Sequence, residues 1–476
     1  MGRKSPAGGI VFCDPGSNRG PTRRLHMLAA VMMDVEDLIT EESDDACLWI
    51  SRAFSARELT ATFFVVGEKA RLWEERGRTD LIEAVRRHDV GFHSTWHSIH
   101  PTMAELCQNR DFLGGMEEIW SREQRGWFDV ERIFRKPLSG WGTTGTSWTP
   151  SLSGLMGRMG RGYMYSPIRL SGHSACWFAG SLQFDSHIAG FDDTFADDNL
   201  FKSKLKETRS FLSNQQKNGS DLACIFLGHP TKLICMEFWD AINLAHGKNL
   251  ERYRWQQPRL KPRETWSTIQ RNFGHLLDLL ASQKDIQIVG LRELTQAFGA
   301  QKPFLSHKEL MDISTRIAQE ETVLFTDHFT SAEILLSLCR AVLDPRDKYP
   351  RESCWGPNAL PIHSSKTDFL PEDILTMTQE IQEAVHSTGA LPAQVELERN
   401  EVGIGTCFVA LAKALTGATS LSAPVHLPYP PQAETVADTV AKKVPGWIIH
   451  PPDLKMHTLL LHTKLQCWSL KSAGLG

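Results

Sequence analysis

The sequence predicts an α/β domain built on a largely parallel sheet, followed by a smaller, mainly helical region. Three observations predict it. Between Arg24 and about Ala300, short apolar runs alternate with longer amphipathic segments. The residue types suited to catalysis fall directly after the apolar runs, where ligands bind in parallel α/β sheets. Beyond Ala300 that rhythm stops and two apolar helical segments take its place.

Taken in order, strands are expected at residues 28–33, 60–66, 89–92, 163–166, 222–227 and 286–289, each a short apolar run. The segments between them read as helices at 44–58, 68–87, 116–134, 201–215 and 265–282. The first of these opens on Asp44 and Asp45, as the helix dipole prefers. An amphipathic segment at 291–298 and the stretch Gly299-Ala300-Gln301-Lys302-Pro303 mark the boundary, giving a leader at 1–23, a main domain at 24–300 and a helical region at 301–476. In that region the apolar helix at 331–342 recurs in pattern at 406–415, with Leu335 matching Phe408 at an offset of 73 residues, as in a degenerate repeat. Pro-rich stretches at 344–361 and 420–431 are expected to be irregular.

At 476 residues the chain exceeds the size at which one core keeps growing, so a barrel-sized domain plus a smaller one is the natural division. Apolar and charged fractions of 41% and 23% are those of a globular protein, and a formal charge of -4 gives no case for nucleic acid. The ten cysteines form no Cys-x-x-Cys pair, which excludes a zinc knuckle or thioredoxin-type motif and fits reduced thiols. The first 20 residues lack the apolar core of a secretory signal, and no apolar run reaches the roughly 18 residues needed to span a bilayer. A cytoplasmic location is therefore expected; oligomeric state is not legible.

His93-Ser94-Thr95-Trp96-His97 places two imidazoles four residues apart, directly after the strand at 89–92. On a helix such positions differ by about 40°, and a tight loop can also converge them, so either geometry presents two nitrogens to one metal ion. Asp34-Val35-Glu36-Asp37 follows another strand and supplies an anionic third ligand, leaving positions free for water and substrate as a hydrolytic metal requires.

In order along the chain, these segments resemble those of the polysaccharide deacetylase family, the NodB homology domain of carbohydrate esterase family 4. Asp34-Val35-Glu36-Asp37 resembles its acidic motif and Ala61-Thr62-Phe63-Phe64-Val65-Val66-Gly67 the strand that follows. His93-Ser94-Thr95-Trp96-His97 is similar to its His-Ser/Thr-x-x-His motif, Arg135-Lys136-Pro137 to Arg-x-Pro, and Leu227-Gly228-His229-Pro230 to a late motif with a catalytic histidine. The resemblance covers residues 28–298.

It implies a distorted (β/α) barrel with an Asp-His-His site for a divalent metal, zinc or cobalt, that removes N- or O-linked acetyl groups from a carbohydrate or glycan. Carried across, His93 and His97 are metal ligands, with His100 competing for the second place because it precedes Pro101. Asp34 is the general base, and either Asp37 or Glu36 the acidic ligand. His229, kept protonated by a carboxylate, is the proton donor, and Arg135 orients Asp34. Pro137 and Trp141, the latter stacking on a sugar, line the substrate; Asp192-Asp193 stands where a further carboxylate belongs. Two other readings remain open: an inactive carbohydrate-binding barrel, and a related carbon-nitrogen hydrolase acting on a small amide or cyclic imide. His386-Ser387-Thr388-Gly389-Ala390-Leu391-Pro392, with the helix at 406–415, is similar to a pseudomurein-binding repeat. That likeness implies a cell-wall polymer as partner; a packing or dimerisation module is the alternative.

Overall fold

The computed structural model of the chain describes residues 27–475; the expected leader and Cys13 lie outside them. The first nine strands are β1 Met27–Val35, β2 Thr62–Val65, β3 Asp89–Phe92, β4 Gly140–Gly142, β5 Gly162–Met164, β6 Ala175–Phe178, β7 Ser181–Gln183, β8 Leu222–Phe226 and β9 Ile286–Val289. Side by side they run β8, β1, β2, β3, β4, β5, β7, with every one of these pairings parallel. β9 pairs with residues 27–30 of β1, on the edge where β2 pairs with residues 32–35. After β7 the chain bridges back to β8 through Ile188 and Ile225, so the sheet curls into a distorted barrel.

Strand alternation sorts the side chains into two layers. Ala30, Met32, Phe64, Met164, Leu222 and Cys224 share one core, inside the curl. Ala29, Val31, Phe63, Val65, Val90 and Phe92 belong to another, packed under the helices. A near-continuous apolar run such as β1 follows from burial on both faces.

The helices come where the periodicity predicts, at Glu42–Ser55, Phe112–Phe134, Asp198–Lys217, Thr265–Ala281 and Leu291–Phe298. One expected helix, 68–87, is two: Gly67–Glu75 and Thr79–Arg86, broken where Gly77 takes φ +65°. The three-residue strands β4 and β7 escaped prediction because Gly140-Trp141-Gly142 and Ser181-Leu182-Gln183 carry no apolar run.

Beyond Ala300 a second body has its own core, including Leu310, Ile317, Leu335, Leu338, Met377 and Phe408. It comprises β10 Phe304–Ser306 paired with β11 Lys348–Pro350, the hairpin β12 Gln394–Leu397 with β13 Asn400–Gly403, and four helices. Those helices form two pairs, His307–Glu320 with Ser331–Leu343 and Pro371–Thr388 with Ile404–Leu415. The first helix of each pair packs mainly against the second helix of the other. Gly389, at φ 72°, ends the third helix in the left-handed region, which glycine adopts without a Cβ penalty.

The chain then returns to the barrel. Val436 and Val440 of helix Gln432–Lys443, Leu459 of helix His457–Gln466, and Val444 and Leu470 join the barrel's outer core. The last strand, β14 Lys471–Ala473, adds to the sheet edge antiparallel to β6. Lys471 Nζ lies 2.7 Å from Glu333 Oε2, both nearly inaccessible, and this buried pair ties the strand to the second body. No helix among the described residues is long and apolar enough to cross a membrane. The nine described cysteines are free and buried.

His462, in the helix His457–Gln466, is buried with Nδ1 unpartnered, and burial depresses its pKa to about 4. A neutral imidazole in the fold that titrates near 6.5 when unfolded makes stability complete above pH 6.5. That stability is lost as the pH falls toward 4. We expect wild type to lose about 2 kcal/mol more than His462→Leu between pH 7.5 and 5. Denaturant unfolding at the two pH values measures this, and parallel losses would refute it.

Candidate metal centre

The alternation that puts Ala30 and Met32 inside the barrel carries on to Asp34, near the end of β1, and to Glu36 just beyond it. On β3 the same parity brings Gly91 and then His93 inward, and Gly91 has no Cβ to strike the Phe64 ring beside it. His97 follows in a loop that is not helical: Ser94 and His97 take φ 58° and 54°, a conformation costing about 1–2 kcal/mol per residue. Several bonds hold the loop. Gly67 N and Glu68 N, at the start of a helix, donate to the carbonyls of Ser94 and Thr95, both at 2.9 Å. The buried Glu123 accepts from Thr95 N, and Ser94 Oγ from His97 N at 2.8 Å. β8 ends at Phe226, and His229 stands three residues beyond it.

These residues meet at the carboxyl ends of the strands, around a cleft of about 330 Å³. Glu36, His93 and His97, all buried, place one ligand atom each within 4.8 Å of one another. His97 Nε2 lies 2.8 Å from Glu36 Oε2 yet has no directed hydrogen bond. His93 Nε2 is 4.0 Å from the same oxygen and 3.6 Å from Asp34 Oδ2. His93 Nδ1 donates to the carbonyl of Gly142 at 3.1 Å, so the Nε2 lone pair faces the cleft. Two imidazole nitrogens and a carboxylate oxygen this close together could hold a divalent metal ion.

Around this group sit further titratable residues. Tyr165 donates to Asp34 Oδ1 at 2.9 Å. Burial is the largest influence on Asp34 and lifts its carboxyl to about 7, with Glu36 adding to the rise and His229 and Tyr165 opposing it. Burial would also raise Glu36, but His97, His229 and His93 outweigh it and hold the carboxyl near 2. His229 stands with Nε2 3.6 Å from Glu36 Oε2 and 3.9 Å from Asp34 Oδ2, while its Nδ1 donates to Asp192 at 3.1 Å. Burial would depress its pKa; Asp192, Glu36 and Asp34 together raise it to about 10. Burial pulls His93 well below the ordinary imidazole value, whereas Glu36 and Asp240 override burial and raise His97.

The structure leaves other expected residues outside this group. Asp37, on the opposite parity from Glu36, turns away from the cleft. Its Oδ1 accepts from the backbone of Ile39 and Thr40 at 2.8 and 2.9 Å, and its Oδ2 from Thr231 Oγ1. Arg135 is the exposed left-handed cap of helix Phe112–Phe134, and Pro137 is exposed two residues on. Both precede β4, whose entry at Ser139 bonds to Val90 near the start of β3, so they lie at the amino ends of the strands, away from Asp34. Trp141 is fully buried against Phe92 and Trp127, because parity aims Gly140 and Gly142 elsewhere and Trp141 into the helix layer. His100 bonds to Glu105 at 2.6 Å rather than to the cleft. Of the acidic pair, Asp192 holds His229, while Asp193 faces Lys232 and Lys261 at the surface.

Tyr165, Asp240 and Trp447 line the cleft without having been foreseen. The one local signal among them is position, since Tyr165 directly follows β5 as His93 directly follows β3.

No family model and no curated protein matches the chain. Among solved structures, a protein assigned as a polysaccharide deacetylase from Mycobacterium smegmatis is similar, with 11% identity and a TM-score of 0.40 over 60% of this chain and 93% of its own. The 4-alpha-glucanotransferase of Thermococcus litoralis has 12% identity and a TM-score of 0.39 over 57% of this chain and 40% of its own. A family 4 carbohydrate esterase from Streptomyces lividans has 12% identity and 0.30 over 56% and 91%. Several of the similar structures are thus polysaccharide deacetylases or carbohydrate esterases of family 4, and the chemistry of the cleft rests on its own residues.

Proposed function

We propose that the chain is a metal-dependent hydrolase that removes acyl groups, acetyl foremost, from a carbohydrate. The observation that carries this reading is the convergence of Glu36, His93 and His97, with His97 Nε2 2.8 Å from Glu36 Oε2, beside an Asp34 and a His229 suited to opposite proton transfers. Glu36, His93 and His97 would hold the metal, leaving Asp37 to its turn. A divalent ion bound there supplies Lewis acidity, acidifying water and polarising the acyl carbonyl.

Asp34 is the general base. Tyr165 occupies its Oδ1, so Oδ2 is the oxygen left to take a proton from water. A carboxyl lifted to about 7 has the proton affinity a base needs near neutral pH. His229, with Asp192 holding its Nδ1, carries the proton that Nε2 gives to the departing amine or alcohol. That one group is lifted as an acid and the other as a base gives the cleft its division of labour. The carbohydrate substrate is what the resemblance of the ordered motifs containing Asp34, His93, His97 and His229 implies.

The test uses the full chain, stripped with a chelator and then supplied with zinc or cobalt. Acetate release from acetylated chito-oligosaccharides is expected to appear with metal and vanish without it. Sugar binding without acetate, metal bound, would make the protein an inactive binder. Hydrolysis of small amides or cyclic imides alone would move the substrate class.

A further inference from the structure

The cleft is not closed by the barrel alone. Residues 443–450, which follow the second body in sequence, return to form one of its walls through Lys443, Val444 and Trp447. This wall is fixed at several points. Thr146 Oγ1 donates to the carbonyl of Val444 at 2.8 Å, and His246 N and Gly247 N donate to those of Ile448 and Ile449 at 2.8 and 2.9 Å. Ile449 is fully buried in a cluster with Leu38, Val66, Trp239 and Leu244.

Trp447 Nε1 donates to Asp240 Oδ2 at 3.0 Å. Ser98 Oγ donates to the same oxygen at 2.7 Å and lies 2.7 Å from His97 Nδ1. The directions settle the tautomer: with its proton committed to Asp240, the Ser98 oxygen accepts from His97 Nδ1–H. In the neutral ring that would bind a metal, the lone pair of His97 is then on Nε2, beside Glu36. Asp240 is almost wholly buried, and besides these two donors its one further donor among the described residues is Ala241 N, which gives to Oδ1 at 2.7 Å. Removing the indole N–H therefore takes away one of two donors on the oxygen that orients Ser98. The Trp447 ring also stands edge-on to Phe238, 5.2 Å between centroids, and Phe238 in turn packs edge-on against His229 at 4.8 Å.

We propose that Trp447 is a positioning residue for the metal site, acting through Asp240 and Ser98 to fix the ring of His97, while its face forms the substrate-side wall of the cleft. This inference rests on the reading of Glu36, His93 and His97 as metal ligands. Outer partners of metal-binding histidines change metal affinity about 10–100-fold when removed, and a comparable effect is expected here.

The experiment is cobalt titration of the full chain followed by visible absorption, with metal affinity and band positions as readouts independent of turnover. Trp447→Phe keeps an aromatic face and loses the N–H, so it is expected to weaken cobalt binding about 10-fold or more and to shift the bands. KM for an acetylated chito-oligosaccharide is expected to stay near wild type in Trp447→Phe and to rise in Trp447→Ala. Asp240→Asn keeps the shape of the carboxylate and should move cobalt affinity in the same direction, which guards against a fold defect peculiar to the indole. Cobalt bound by wild type and by both Trp447→Phe and Asp240→Asn with equal affinity and identical spectra would overturn the inference alone. Wild type that binds no cobalt would overturn the ligand assignment, and the inference with it.

Discussion

His97→Ala is expected to abolish tight binding of zinc or cobalt and to lower kcat/KM at least about 10³-fold, some 4 kcal/mol of transition-state stabilisation. The imidazole is one of three groups whose ligand atoms lie within 4.8 Å, and its Nε2 has no other hydrogen-bond partner to lose. The discriminating comparison is with Asp37. Asp37→Ala takes away the acceptor of two backbone N–H bonds and of Thr231, so it is expected to cost about 1–3 kcal/mol of stability while leaving metal stoichiometry at wild type. Metal content measured on the folded variants decides the matter: a metal-free Asp37→Ala with a metal-replete His97→Ala would reverse the assignment. Arg135→Ala, changed at an exposed helix cap, is expected to leave both unaltered.

The second large effect is at His229. Replacement by Gln removes the acid while keeping an amide of similar reach, and is expected to lower kcat about 10²–10⁴-fold. The pH profile carries the finer information. A histidine whose pKa is raised to about 10 is protonated throughout the neutral range, so activity that depends on its proton persists there and falls as the pH climbs through 10. Burial pulls this pKa down, and Asp192 is the foremost group that lifts it. Asp192→Asn is therefore expected to move the alkaline limb of kcat/KM to lower pH without changing the direction of the limb. A limb that stays in place in Asp192→Asn, or survives in His229→Gln, would mean that another group supplies the proton.

Most of the strands that position the cleft were readable because β1, β2, β3 and β8 are short, largely apolar runs buried on both faces. Asp34, Glu36, His93, His97 and His229 were readable because they fall after such runs. Parity decided the rest, and it was present in the sequence. With Ala30 and Met32 inward, positions 34 and 36 face the cleft and 37 does not; with Gly140 and Gly142 flanking it, Trp141 goes to the helix layer. Arg135-Lys136-Pro137 was misplaced for a different reason, since a motif that precedes its strand sits at the wrong end of a parallel sheet. Asp240 and Trp447 had no local signal at all. Their role comes from contacts across 142 and 207 residues of sequence, which periodicity and spacing do not encode.

The return of the chain to the barrel sets an order of events during synthesis. Every proposed catalytic and ligand residue, from Asp34 to His229, leaves the ribosome well before Trp447. At about 5–20 residues per second the gap is roughly 10–40 s. During that interval the second body, whose core lies almost entirely within residues 305–423, can fold as a unit. The barrel, meanwhile, still exposes the surface that Val436, Val440 and Leu459 come to cover, and β6, paired with β7 on one side, has an open outer edge until β14 arrives. The cleft thus acquires this wall only after Trp447 has been made, so a nascent barrel lacks one side of its site until residues 443–450 have docked.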